Sequence, residues 1–243
     1  MRKTLAMIAL GLLPTLSVAA AIDTNVATLA RLAPDANQRV LALALEARDC
    51  ASQSLHQAPS PRLAVIDYSF PSTKPRLWVF DLESNKLLFR EVVAHGQGTG
   101  ENMARAFSNR DGSHQSSLGL FRTEGTYQGG NGYSLRMQGL EPGTNDAAMA
   151  RAIVMHGAPY VNMQTASKQG RLGRSWGCPA LRPEVAHQVI DSLKNGQMIF
   201  SYYPDTNWLA KSPFIRCHDK ALALAAARNS AGASPGANSV AAR

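Results

Sequence analysis

Residues 76–94 read RLWVFDLESNKLLFREVVA, and this stretch decides the fold class. Two short apolar runs flank Ser84 and Asn85, which are residue types typical of turns, so the pattern predicts a β-hairpin. Similar strand-like runs lie at residues 63–68, 119–123, 134–140, 152–156 and 198–203. Many short strands separated by glycine-rich turns predict a β-sandwich or a partly closed barrel.

Helical patterns flank the strand-rich region. From residue 22 to residue 56, apolar side chains recur at near-helical spacing, with Pro34 and Asp35 at the start of a second helix. Residues 183–194 have the pattern of an amphipathic helix that ends before Gly196. The expected class is therefore mainly β with flanking helices (α+β), with an amino-terminal helical segment.

The start of the chain has the layout of a secretory signal peptide, with cleavage expected near residue 21. Arg2 and Lys3 precede an apolar run at residues 5–18. A membrane span needs about 20 apolar residues, whereas this run is shorter and contains Pro14. We therefore expect export to the periplasm or cell envelope, with no membrane span after signal cleavage. The expected organisation is a signal peptide at 1–21, a helical segment at 22–58, a main domain at 60–218 and a low-complexity tail at 219–243.

The net charge and the sequence motifs limit the classes of partner that the protein is expected to bind. The formal net charge of +8 favours an anionic partner, such as nucleic acid, a membrane surface or an anionic cell-wall polymer. The basic residues are scattered and do not interleave with aromatic residues, which argues against nucleic acid. The glycine-rich run HGQGTG at residues 95–100 is not followed by a Lys-Ser/Thr pair, so we interpret it as a structural loop. The histidines and cysteines lack zinc-site spacing, and neither a metal nor a cofactor is expected.

The chain has three cysteines, so at most one pair can form. A disulfide between Cys50 and Cys217 would join the two ends of the fold and leave Cys178 free. Connectivity cannot be deduced from sequence, and unpaired buried thiols remain the alternative.

Cys178 lies in a glycine turn of the stretch SWGCPAL, residues 175–181. A nucleophilic cysteine needs positive charge, hydrogen-bond donors or a helix N-terminus nearby to hold its thiolate. The helix predicted from Pro183 begins just beyond it, and three arginines are close in sequence: Arg171, Arg174 and Arg182. This pattern favours a nucleophile at Cys178, with an oxyanion hole formed by the N–H groups of Gly177 and Cys178.

His156 is the matching general base. It ends the apolar run of IVMHGA, residues 153–158, and Gly157 lets the chain turn there so that the imidazole faces a cleft. A lone cysteine or histidine is more often structural. Together, on two glycine turns of one chain, Cys178 and His156 favour a Cys–His dyad.

His156-Gly157 followed by Ser175-x-Gly177-Cys178 resembles the catalytic signature of the L,D-transpeptidases, a YkuD-like family of murein cross-linking enzymes. The resemblance covers roughly residues 60–205 and indicates a divergent branch. Further agreement lies in SFPS (69–72), WVFD (78–81), VAHG (93–96), FSN (107–109), SSLG (116–119) and YSLR (133–136). Two positions depart from the family: Trp176 stands where a His is usual, and Ala180 where Arg or Asn is usual.

The resemblance implies a transferase of cell-wall biogenesis that acts on peptidoglycan stem peptides. Cys178 would attack the third residue of a stem, the terminal D-alanine would leave, and an amine of a neighbouring stem would complete a 3–3 cross-link. With water as acceptor, the same enzyme would be an L,D-carboxypeptidase. Tyr133, Trp176 and Arg174 are candidate substrate contacts, and Ser175 is expected to stabilise the turn.

Two other functions stay open at the level of sequence. A different Cys–His cell-wall peptidase would place the base after the nucleophile, at His187 or His218. A catalytically silent wall-binding module is the other, and Trp176 and Ala180 are its best support.

Overall fold

The computed structural model describes residues 25–217 and residue 219. The signal peptide expected at 1–21, nearly all of the expected tail and His218 lie outside the described residues.

One mixed sheet of eight strands forms the body of the protein, in the order β3-β2-β1-β8-β4-β5-β6-β7. The strands are β1 Arg62–Asp67, β2 Leu77–Asp81, β3 Lys86–Glu91, β4 Gly119–Gly129, β5 Gly132–Gly139, β6 Val154–Gly157, β7 Ala180–Leu181 and β8 Met198–Tyr202. The pairs β1–β8 and β6–β7 are parallel, and the other pairs are antiparallel. A bridge between Ala94, just after β3, and Ala180 on β7 links the two edges, so the sheet nearly closes into a barrel.

Helices flank this sheet. They are α1 at residues 25–32, α2 Gln38–Ser54, α3 Met163–Gln169, α4 Pro183–Leu193 and α5 Thr206–Lys211. Helix α2 packs on β1 and β8, and α4 packs on β6. The predicted α+β class with an amino-terminal helical segment is confirmed.

The second helix begins later than the sequence pattern suggested. Helix α2 starts at Gln38, and not at Pro34 or Asp35, because the Asn37 side chain accepts a hydrogen bond from the Arg39 N–H and caps the helix. The β2–β3 hairpin turns at the predicted place, with Asn85 at a positive φ of 52°. Asn tolerates this left-handed conformation better than most residues do.

The core lies between the sheet and the helices. Its largest fully buried side chains include Trp78, Phe80, Phe121 and Phe200, which lie on three strands, β2, β4 and β8. Burying side chains of this size stabilises the fold by about 1.5–3 kcal/mol each. The sheet is therefore a rigid support for the loops at its β6–β7 end.

Cys50 of α2 is joined to Cys217 by a disulfide, the pairing that the sequence left open. The bond crosslinks residues 167 positions apart, and a loop of this length stabilises the fold by about 5 kcal/mol through the unfolded chain. Cys178 is the free cysteine of the described chain. Within the same residues, no helix has the length and apolar character needed to cross a membrane.

Candidate active site

The parallel pairing of β6 and β7 places the Cys178 turn beside the strand that ends in His156-Gly157. His156 is opposite Ala180 in this pairing, two residues beyond Cys178. The Val154 N–H donates a hydrogen bond to the Cys178 Sγ at 3.4 Å, and the Cys178 S–H donates to the Ala152 carbonyl oxygen at 3.6 Å. Both contacts come from the chain that leads into His156, so the thiol is held against β6.

A cleft of about 410 Å³ opens over this thiol. Its lining residues are Asn131, Arg151, Ala152, His156, Tyr160, Arg174, Ser175, Trp176 and Cys178. The sulfur and the imidazole thus face one space, although Cys178 is only 8% exposed and His156 only 4% exposed. A substrate in this cleft would therefore meet both groups.

The His156 ring is oriented by its neighbour. Its Nδ1 lies 2.9 Å from the Gly157 carbonyl oxygen, which can only accept, so Nδ1 carries the proton and Nε2 keeps its lone pair. Burial lowers the pKa of His156, and the hydrogen bond to Gly157 opposes part of that effect. The imidazole is therefore neutral at neutral pH and able to accept a proton at Nε2.

The thiol is also neutral at rest. Burial raises the pKa of Cys178, while the Val154 N–H and the charge of Arg151 act in the opposite direction. Because both side chains are neutral at rest, Cys178 and His156 do not form a thiolate–imidazolium ion pair. The thiolate has to be made at the moment of attack by transfer of its proton to a base.

The nucleophile turn is braced by two serines. Ser175 donates from Oγ to the Cys178 carbonyl oxygen at 2.6 Å, and its Oγ accepts from the Gly177 N–H at 3.1 Å. Ser116 donates to the Gly177 carbonyl oxygen at 2.9 Å. Gly177 adopts a φ of +125°, which glycine adopts freely and other residues rarely do.

The hydrogen bond at Gly177 corrects one expectation. Its N–H is used by Ser175, so it is not free to stabilise an oxyanion. Among the described residues, the Cys178 N–H has no backbone or side-chain partner beyond its own residue. Of the two donors predicted from sequence, Cys178 alone retains that capacity.

A family model described as the L,D-transpeptidase catalytic domain (YkuD_2) matches residues 32–202, more than half of the chain. The chain belongs to this L,D-transpeptidase family. The resemblance noted from the motif is thereby confirmed. No curated protein matches the chain.

Solved structures with a similar fold include three of bacterial origin. An L,D-transpeptidase from Mycobacterium smegmatis has 15% identity and a TM-score of 0.37, over 60% of this chain and 61% of the other. The helical cell shape determining protein Pgp2 from Campylobacter jejuni has 12% identity and a TM-score of 0.40, over 68% and 57%. An L,D-transpeptidase (Yku) from Stackebrandtia nassauensis has 15% identity and a TM-score of 0.35, over 76% and 90%. The chain spans about three fifths of the length of the M. smegmatis protein.

The three arginines nearest to Cys178 in sequence are each paired with a glutamate. Arg171 and Arg174 both pair with Glu101, at 2.7 Å and 2.6 Å, and Arg182 pairs with Glu91 at 2.9 Å, outside the cleft. Of these three, only Arg174 lines the cleft.

Arg151 was missed by the sequence analysis. It lies just before β6, lines the cleft, and is the arginine whose charge lowers the pKa of Cys178. Its guanidinium donates to four acceptors of the 108–117 loop, which are Ser108, Ser113, Gln115 and Ser117. The sequence feature that could have indicated Arg151 is its position five residues before His156.

Trp176, where the family usually has histidine, forms one wall of the cleft. The indole is 72% exposed and stacks on the His114 ring, with 5.0 Å between centroids and 6° between planes. A second cavity of about 160 Å³ adjoins it, and Trp176 and Arg151 line both spaces. Asn131, at the β4–β5 turn, lies on the rim of the main cleft; the glycine-rich run around it was the available signal.

Tyr133 does not contact the cleft, contrary to expectation. Its neighbour Ser134 is opposite His156 in the β5–β6 pairing, and successive side chains of a strand point to opposite faces. The Tyr133 hydroxyl donates to Asp191 at 2.8 Å, and its ring stacks on His187 at 4.2 Å. His187, the alternative base, is therefore on the exposed face of helix α4 and does not line the cleft, and His218 lies outside the described residues.

One grouping of metal-ligating side chains occurs among the described residues. It consists of Glu46, Cys50 and Cys217, whose ligand atoms lie within 4.8 Å of one another. Both cysteines are in the disulfide, so neither offers a thiolate to a metal. The group is far along the chain from the cleft residues and adds no chemistry to them.

Proposed function

We propose that this protein is an exported cysteine acyltransferase of peptidoglycan stem peptides, with Cys178 as nucleophile and His156 as general base. The observation that carries the proposal is the shared cleft: the thiol is held against β6, and the imidazole faces the same space with Nδ1 fixed by Gly157. Family membership supports the substrate class.

The first half-reaction makes an acyl-enzyme. His156 Nε2 takes the Cys178 proton as the sulfur attacks the carbonyl carbon of the third stem residue. The carbon–sulfur bond forms, the amide carbon–nitrogen bond breaks, and the imidazolium returns its proton to the departing amine of D-alanine. The Cys178 N–H is the donor available for the developing oxyanion.

The second half-reaction releases the acyl group. The side-chain amine of a neighbouring stem attacks the thioester, His156 accepts the proton that the amine loses, and the thiol is regenerated with a 3–3 cross-link. Water in place of the amine would give a tripeptide product, which is L,D-carboxypeptidase chemistry. The net charge of +8 favours approach to an anionic wall polymer.

Mass spectrometry of products tests the proposal directly. The mature protein and Cys178→Ala are each incubated with purified disaccharide-tetrapeptide. We expect a dimer that has lost one D-alanine, formed by the wild type and absent with Cys178→Ala. A monomeric tripeptide would mean that the acyl-enzyme is passed to water. No product that depends on Cys178 would contradict the acyltransferase and favour a wall-binding module.

Export is part of the proposal and has its own test. Residues 1–21 have the layout of a signal peptide, and the disulfide between Cys50 and Cys217 is typical of an oxidising compartment. Cell fractionation should recover the full chain from the envelope and a variant lacking residues 2–18 from the cytoplasm. Recovery of both chains from the cytoplasm would contradict export.

A further inference from the structure

The charged side chains that line the cleft over Cys178 are all positive. Two guanidinium groups, those of Arg151 and Arg174, belong to its lining, and no carboxylate does. Arg174 pairs with Glu101 at 2.6 Å, and Arg171 pairs with the same carboxylate at 2.7 Å. Arg151 has no carboxylate within 4.0 Å among the described residues, although the exposed Asp111 across the adjoining cavity acts on it from further away. Of the two arginines that line the cleft, Arg151 is therefore the one without a direct carboxylate partner among the described residues.

The position of Arg151 is fixed before any substrate arrives. Its Nη1 donates to Ser108 O and Ser117 Oγ, and its Nη2 donates to Gln115 O and Ser113 Oγ. These acceptors are neutral, so they hold the guanidinium without cancelling its charge. The Nε–H has no partner among the described residues and is the donor left for a ligand. Because the guanidinium is already held in place, little further side-chain entropy is lost when it binds an anion.

The place of this charge relative to the nucleophile is also constrained. Arg151 precedes Ala152, whose carbonyl oxygen is 3.6 Å from the Cys178 Sγ, and Arg151 and Cys178 line the same cleft. One residue of extended peptide spans about 3.5 Å. A donor with a single residue beyond its scissile carbonyl would bring its terminal carboxylate into this cleft, whereas a second residue would carry the carboxylate about 3.5 Å further away.

We infer that Arg151 recognises the free carboxylate of the acyl donor and so selects peptides with one carboxylate-bearing residue beyond the scissile bond. This inference rests on the proposed function and adds the determinant of stem length to it. It also gives the cleft a positive group that Ala180, at the position where the family usually has Arg or Asn, does not provide. Arg151 is thus a specificity-determining residue of the donor site.

Two alkylating reagents that differ only in charge test this without any peptidoglycan. Iodoacetate is anionic and iodoacetamide neutral, and both react with the same thiolate, so their rate ratio at Cys178 cancels the thiolate fraction. We expect Arg151→Gln to lower the iodoacetate-to-iodoacetamide ratio about tenfold at low salt, and the wild-type ratio to fall as salt rises.

Arg174→Gln is the matched control, since it removes the same formal charge from the same cleft. Arg174 is held by Glu101 and, unlike Arg151, its charge does not act on Cys178, so this variant should change the ratio less than about twofold. An unchanged ratio in Arg151→Gln, or an equal fall in both variants, would overturn the inference.

Protection of Cys178 in the wild-type protein is a second test, which does not require Arg151→Gln to fold. N-acetyl-D-alanine, which ends in a carboxylate, should protect Cys178 from iodoacetamide, and N-acetyl-D-alaninamide should not. Equal protection by both compounds, or by neither, would contradict a carboxylate site. These measurements do not depend on turnover, so an enzyme that leaves the tetrapeptide intact but shows this selective protection would overturn the proposed function and keep the anion site.

Discussion

Two histidines of this chain are each followed by glycine, and they have opposite environments. His95-Gly96 runs beside Ser175 of the nucleophile turn, and His156-Gly157 ends β6. Both imidazoles are buried, but His95 has both ring nitrogens satisfied within the protein: Nδ1 accepts from Arg76 at 2.8 Å, and Nε2 donates to the Gly100 carbonyl at 3.2 Å. His156 has one nitrogen bonded and the other facing the cleft.

The difference teaches what separates a structural histidine from a candidate base. Burial lowers the pKa of both, and the charge of Arg76 lowers that of His95 further, to about 4. A low pKa alone therefore does not mark a catalytic group. The open lone pair at Nε2 of His156, in a residue that lines the same cleft as the thiol, is the property that His95 lacks.

The glycines that follow the two histidines also differ in purpose. A Cβ on Gly96 would meet the His114 carbonyl oxygen and the Gly177 backbone, so this glycine lets two loops touch under the nucleophile turn. A Cβ on Gly157 would lie 2.9 Å from the Ala186 side chain of α4. The same dipeptide thus supports the turn in one place and the docking of a helix in the other.

Replacing each of the two histidines in turn tests the difference between them, and the largest expected effect is on the rate of acylation. His156→Gln should lower the rate of Cys178 acylation by the disaccharide-tetrapeptide about 1000-fold, since general-base catalysis contributes about 10²–10⁴. His95→Gln should change the rate per folded molecule less than about threefold, because His95 has no atom on the cleft. Intact-mass measurement of the acyl-enzyme over time gives both rates, and circular dichroism reports folding. A greater loss in His95→Gln than in His156→Gln would reverse the assignment.

Much of the fold was accessible from the sequence because its signals are local. The turn at Ser84-Asn85 and the helix starting at Pro183 depend on neighbouring residues alone, and both occur where predicted. Closure of the barrel through Ala94 and Ala180 joins residues 86 positions apart, so the strand pattern left a sandwich and a partly closed barrel as alternatives.

The site was less predictable because its charged residues pair with residues that are far away in the sequence. Arg174 and Arg182 lie next to Cys178 in sequence, but each pairs with a glutamate more than 70 residues away, Glu101 and Glu91. No sequence pattern announces such pairs. Tyr133 was misplaced for another reason: a one-residue difference in strand register moves a side chain to the other face.

An intermediate effect is expected on stability in acid, and it sharpens the structural role of His95. Its folded pKa of about 4 lies below its ordinary value of 6.5, so between these pH values the unfolded chain binds a proton that the folded protein does not. Stability should therefore fall as pH drops from about 6.5 to about 4, by about 3 kcal/mol from this group.

Comparison of two proteins isolates that contribution. Burial raises the pKa of Asp67, which acts in the opposite sense, and His156 acts in the same sense, so the wild-type curve alone is a mixture. Urea unfolding of wild type and His95→Gln from pH 7 to pH 4 should show the variant less stable at pH 7 and less sensitive to acid. Parallel pH dependences would mean that the pKa of His95 is the same in the folded and unfolded protein, which would contradict the shift caused by burial.

The smallest effect is expected at His187, which separates the proposed dyad from a peptidase whose base follows its nucleophile. The His187 side chain is 67% exposed on α4, bonds Asp191 of the same helix at 3.0 Å, and stacks on Tyr133 of β5. His187→Ala should leave Cys178 acylation within about twofold of wild type and shift the melting temperature by less than about 2 °C, because exposed pairs of this kind contribute little. If His187→Ala instead abolished acylation while His156→Gln retained it, the open nitrogen of His156 would have no catalytic meaning and the two His-Gly pairs would both be structural.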